Sequence, residues 1–240
     1  MMAKSKIIKQ FVCDEINIKS ALMRILILAQ DIRDNNLGQW IQNEIQGYKQ
    51  NSNVPTYRKV SIFYKGNYKV VHNHSPMPFG DSHNDDVLPT APLNKMEQKE
   101  REMFLWQAIK TPIDELEQSI KNSSECVELE QISPENYHIF GYKENYINLK
   151  ISNARKVCKK EYIAQIIEQI RFKIINILTK LEQEFGCLDE LDIDIDSKDE
   201  NQKQQIYNII NIIIQDNHID NSITMGNENE ISNSSIANKA

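Results

Sequence analysis

Trp40-Ile41-Gln42-Asn43-Glu44-Ile45-Gln46-Gly47-Tyr48-Lys49-Gln50-Asn51-Ser52-Asn53-Val54-Pro55-Thr56-Tyr57-Arg58 is the stretch on which the fold of this chain turns. Its first half reads as the end of a helix spanning about residues 35–46, with Leu37, Trp40, Ile41, Glu44 and Tyr48 on one face. Gly47 is placed to end that helix in a conformation glycine tolerates. Pro55 breaks the chain, and strand formers run from Tyr57 to Tyr64. Both halves carry a charge where a core residue belongs. Glu44 interrupts the apolar stripe of the helix, and Arg58 shares its strand face with Val60, Ile62 and Tyr64. A lone buried charge is very unfavourable, whereas a hydrogen-bonded carboxylate–guanidinium pair is tolerated. Glu44 and Arg58 are therefore expected to meet. Two readings of the pair stand open. In one it fixes helix against strand; in the other Arg58, with Tyr57, Trp40 and Glu44, lines a pocket for an anionic ligand, to which arginine's planar fork is suited.

Outward toward the N-terminus, Leu22, Ile25, Leu26, Ala29 and Ile32 predict a helix over 17–33. Toward the C-terminus, Gly66-Asn67 predicts a tight turn between strands 57–64 and 68–72, a β-hairpin. Residues 73–92 read as loop. Asn94 and Glu97 predict a capped helix reaching Lys110, and Thr111-Pro112 a restart with Thr as cap. Strands are expected at 137–140 and 146–151. An unbroken stripe from Ile163 through Ile166, Ile170, Ile174, Ile177 and Leu181 to Phe185 predicts a long core helix over 159–185, stopped by Gly186. The expected fold class is α+β: a helical layer on 17–47, 94–121 and 159–185 against a small antiparallel sheet. The expected division is a domain over 1–187, an acidic linker over 188–205 and an Ile/Asn-rich tail over 206–240, separate and mobile.

The 240 residues suffice for one substantial domain plus a tail. Four unpaired cysteines and the lack of a long apolar run near the N-terminus suggest a cytoplasmic protein without a membrane span. The net charge of −6 hides an alternation. Residues 1–75 hold 11 basic and 5 acidic side chains, 76–133 hold 5 and 12, 134–187 hold 9 and 6, and 188–240 hold 3 and 11. A basic first block would suit nucleic acid, but no aromatic–basic motif accompanies it; balance against the chain's own acidic segments is the preferred reading. His72, His74 and His83 lie near Asp81, Asp85 and Asp86 in a spacing that matches no metal site, so neither a metal nor another cofactor is expected. No phosphate loop or nucleophile elbow is present, and Asp192, Asp194 and Asp196 lack the glycine and glutamate of a calcium loop.

The run Trp40-xxx-Glu44-xx-Gly47-Tyr48, then Pro55-x-Tyr57-Arg58, resembles the signature of AbiTii domains. The helix with Ala21-Leu22 and Leu28-Ala29 resembles their lead-in, and Leu181 to Phe185 their close, so the resemblance covers residues 5–186. It implies a role in phage defence as a toxin or effector part, without assigning catalytic residues. In the tail, Ile223-Thr224-Met225-Gly226, with Asn229 and Ile231 downstream, resembles the RIP homotypic interaction motif of amyloid signalling, with Thr224 where that motif has glutamine. Stacked in register, Ile223 and Met225 would share one side and the asparagines would form ladders, while Glu228 and Glu230 would repel. An unstructured tail, or one that adds a strand to a partner, are the other readings. The leading expectation is an antiphage abortive-infection effector or adaptor acting through binding and self-association, as a homo-oligomer recruited by a defence sensor protein. The alternative is a toxin enzyme acting on nucleic acid or nucleotides; a regulator that neutralises a partner toxin is a third.

Overall fold

A computed structural model describes residues 4–72, 81–89, 97–123, 125–140 and 147–215. The chain opens with α1 (Lys6–Val12) and α2 (Ile18–Asp31), the latter capped by Asn17, whose side chain accepts from the Ser20 amide at 2.7 Å. Asp34 caps α3 (Asn35–Gln46) in the same way, accepting from the amides of Asn36 and Leu37. Helix α3 ends at Gly47, whose φ of 88° belongs to a region L side chains rarely enter. A 3-10 turn over Thr56–Arg58 leads into β1 (Lys59–Ser61) and β2 (Phe63–His72). Here period-2 burial is plain: Arg58, Val60, Ile62, Tyr64, Gly66 and Tyr68 are buried and the residues between them are not.

The predicted hairpin at Gly66-Asn67 does not form, and β2 runs straight through it. Gly66 lies so close to the Asn153 carbonyl that a Cβ would overlap it. Asn67 builds a bulge instead of a turn: its amide donates to Asn153 Oδ1 at 2.8 Å and its own Oδ1 accepts from the Asp85 amide at 2.7 Å. The strand that answers β2 comes from the stretch read as loop, β3 (Ser82–Val87), which pairs antiparallel to it. Helix α4 (Gln98–Leu105) stops five residues before the predicted end at Lys110. There β4 (Trp106–Ala108) pairs with β1, and the Ile62 amide bonding the Leu105 carbonyl at 2.9 Å extends that ladder. Helix α5 (Ile113–Asn122) starts behind Pro112, one residue later than a Thr111 cap would place it.

Strand β5 (Cys126–Gln131) was not legible, and the expected strand at 137–140 is a 3-10 turn over Pro134–Ile139. Strand β6 (Ile147–Lys159) is far longer than predicted and passes directly into α6 (Lys160–Phe185). The main sheet has the order β3-β2-β6-β5, all antiparallel, with β1-β4 beside it. The fold is α+β, as expected.

The acidic segment is no linker. Leu188, Ile193 and Ile195 are buried in the core, so the isoleucines that alternate with aspartates are anchors and the aspartates face outward. Helix α7 (Glu200–Gln215) is not a separate tail either, because Ile206, Ile210, Ile213 and Ile214 bury against α3 and α6. The apolar gain from four buried isoleucines, about 1.5–3 kcal/mol each, explains why this segment docks. The tail motif Ile223, Met225, Gly226, Asn229 and Ile231 lies outside the described residues, as does His74.

Candidate functional site

Glu44 and Arg58 meet as expected. Both side chains are 0% exposed, and Arg58 Nη2 donates to Glu44 Oε2 at 2.5 Å, with Nε 3.2 Å from both carboxylate oxygens. The pair is the centre of a larger cluster. Tyr48 and Tyr57 donate their hydroxyls to Glu44 Oε1 at 2.6 and 2.5 Å, and Trp40 Nε1 donates to the Tyr57 hydroxyl at 2.9 Å. The Arg58 guanidinium lies over the Tyr48 ring, 5.0 Å from its centroid. Its remaining nitrogen, Nη1, donates to the carbonyls of Ile109 and Thr111 at 3.0 and 2.9 Å. All four residues of the predicted pocket are thus brought together, but with their polar atoms turned on one another and on backbone.

The electrostatics follow from that closure. Burial, and then the negative Glu44, push the Tyr48 and Tyr57 hydroxyls well above the ordinary tyrosine range. Burial would lower the Arg58 pKa, but the charge and hydrogen bonds of Glu44 raise it, so the guanidinium stays protonated. Both tyrosines therefore serve as donors, the role the carboxylate requires.

The cluster fixes one particular piece of backbone. Besides the two carbonyls held by Arg58, the Lys110 carbonyl accepts from the Tyr48 amide at 2.8 Å, and the Ile109 amide donates to the Arg58 carbonyl at 2.8 Å. Gly47 lies so near that a Cβ would sit 2.8 Å from the Lys110 oxygen. Residues 109–111 form one wall of an open cleft of about 890 Å³, which Trp106, Gln107, Leu116 and Glu128 also line. Trp106 is 52% exposed, and Gln107 carries a buried amide oxygen without a hydrogen-bond partner among the described residues.

Sequence reasoning missed Lys173, which is buried in α6 among the isoleucines. Its ammonium donates to the Ile213 carbonyl in the last turn of α7 at 2.6 Å and lies 4.9 Å from the Tyr57 ring centroid. The signal was available: a charge interrupting an apolar stripe, the same cue that exposed Glu44. Elsewhere, the Cys158 thiol is pushed up to about 12 by burial and then by Cys126, which leaves it inert as a nucleophile. His83 stacks on Tyr68 at 4.5 Å and approaches Asp86 at 3.2 Å; no group of residues able to hold a metal occurs among the described residues. No helix among them is long and apolar enough to cross a membrane.

Among the described residues, seven helices pack with a small antiparallel sheet and are braced by a largely buried Trp-Glu-Tyr-Tyr-Arg cluster. The AbiTii family model matches residues 5–209, and the chain belongs to the AbiTii family. That match runs past α6 through the acidic segment and into α7, in agreement with their packing on the same core. Membership gives the chain a role in abortive infection, a form of antiphage defence. No curated protein and no solved structure matches it.

Proposed function

We propose that this chain is an abortive-infection effector or adaptor that works by binding and self-association, with residues 216–240 as its recruitment element. One observation carries the reading: the signature residues are spent inside the fold. Glu44, Arg58, Tyr48 and Tyr57 close on each other, and Arg58 uses Nη1 to hold the 109–111 backbone that walls the cleft. Such a brace shapes a recognition surface and leaves ligand contact to the cleft lining, chiefly Trp106. Helix α7 then delivers the chain, at Gln215, to the segment containing Ile223, Met225, Gly226, Asn229 and Ile231. A second copy, or a defence sensor carrying a like motif, is the partner this arrangement suits.

The test is a phage plating assay on cells expressing the full chain or residues 1–215. The cut falls after Ile214, the last core residue among those described, and the shortened chain should melt at the same temperature while protection is lost. Undiminished protection by 1–215 refutes the recruitment role.

A further inference from the structure

On the sheet, Lys69 of β2 stands directly opposite Lys150 of β6, and both side chains are exposed. Two residues in that register have Cβ atoms about 5 Å apart, and like charges so placed destabilise a sheet. Among the described residues neither lysine forms an ion pair. Farther along β6, Arg155 pairs with Asp85 and Glu128, and Lys156 with Glu130. The two unneutralised lysines flank a pocket of about 330 Å³ that Asn67, Ser82, His83 and Ser152 also line. Among the described residues no carboxylate lines it; Asp85 is engaged by Arg155, and Asp86 by His83.

Two ammonium groups, the Ser82 hydroxyl and the Asn67 side-chain amide beside one small concavity are donors suited to a phosphoryl oxygen. The bulge at Gly66–Tyr68, with Ser152 Oγ donating to the Asn67 carbonyl at 3.1 Å, holds the floor of that concavity in place. We propose that this pocket binds a phosphate group, and that the repulsion between Lys69 and Lys150 is retained because such an anion relieves it. The cleft beside Trp106 shares none of these residues, so the site stands or falls independently of it.

The experiment is calorimetric titration of the full chain, at low ionic strength, with inorganic phosphate and separately with a single-stranded oligonucleotide. Binding of either probe is expected, weakened at least about tenfold in the Lys69→Met/Lys150→Met double variant. If inorganic phosphate binds, the site takes small phosphates. If only the oligonucleotide binds, and more weakly as salt rises, the source is a nucleic-acid backbone. Lys150→Glu should abolish binding of both probes while raising the melting temperature, because it converts a repulsive cross-strand pair into an attractive one. Failure of the wild-type chain to bind either probe, or equal binding by the double variant, overturns the assignment.

Discussion

Arg58 combines three tasks that no other side chain could perform at once: it neutralises Glu44, stacks on Tyr48 and holds two carbonyls. Removing one partner of a buried ion pair typically costs about 3–5 kcal/mol, since the survivor is left charged and unpaired. Arg58→Ala and Glu44→Ala should each destabilise by that order in denaturant titrations. Arg58→Lys should recover little, because an ammonium lacks the fork that reaches Ile109 and Thr111. Gly47→Ala should cost about 1–3 kcal/mol, from its positive φ and from contact with Lys110. The tyrosines give a pH signature. Their neutral forms are favoured in the fold, so this stabilisation is complete below the ordinary tyrosine pKa of about 10 and declines as pH rises above it. In an ultraviolet pH titration, Tyr48 and Tyr57 should ionise only as the protein unfolds.

Helix α1 is held by carboxylates from distant sequence. Glu182 accepts from the Ser5 amide and hydroxyl and from Lys4, and Asp189 accepts from the Lys6 amide. Burial alone would raise the Glu182 pKa, but the hydrogen bonds from Lys4 and Ser5 keep it below the usual carboxylate value. A lowered pKa stabilises the fold above the ordinary carboxylate range and stops doing so as pH falls through the lowered value. Glu182→Gln should therefore melt earlier than wild type at neutral pH, with the gap closing in acid. Helices α2, α3 and α6 were legible because each buries one stripe, and they fall within a residue or two of their predicted bounds, whereas α1 and α7 were not foreseen as helices. Strands β3 and β5 were not. Ser82–Val87 holds almost no apolar residue, and of Cys126–Gln131 only Val127 is fully buried, so their signal lies in partners rather than in their own sequence. Gly66-Asn67 misled because a glycine required for close approach to Asn153 has the same spelling as a turn. The Glu44–Arg58 contact was readable, since each residue broke a pattern. The cleft was not, because its walls come from segments far apart in the chain.

Charge balance explains the alternation along the sequence. Cations of the first block reach acids of the later ones, Lys4 to Glu182, Lys19 to Asp114 and Arg33 to Asp196, while Arg155 and Lys156 meet Asp85, Glu128 and Glu130. Each exposed pair is worth little alone, about 0–1 kcal/mol, but together they set which segments face one another. Lys173 adds the link between α7 and the brace, through Ile213 and Tyr57. Lys173→Met should leave the sheet intact and raise hydrogen exchange in 200–215 selectively; uniform protection would deny that link.

Self-association through the segment after Gln215 is tested most directly by sedimentation with thioflavin fluorescence on three purified proteins: the full chain, residues 1–215 and Met225→Asp. The expected result is that the full chain alone pellets and binds dye, while the other two remain folded and dispersed. A full chain that stays dispersed, or a 1–215 fragment that pellets equally, would contradict it.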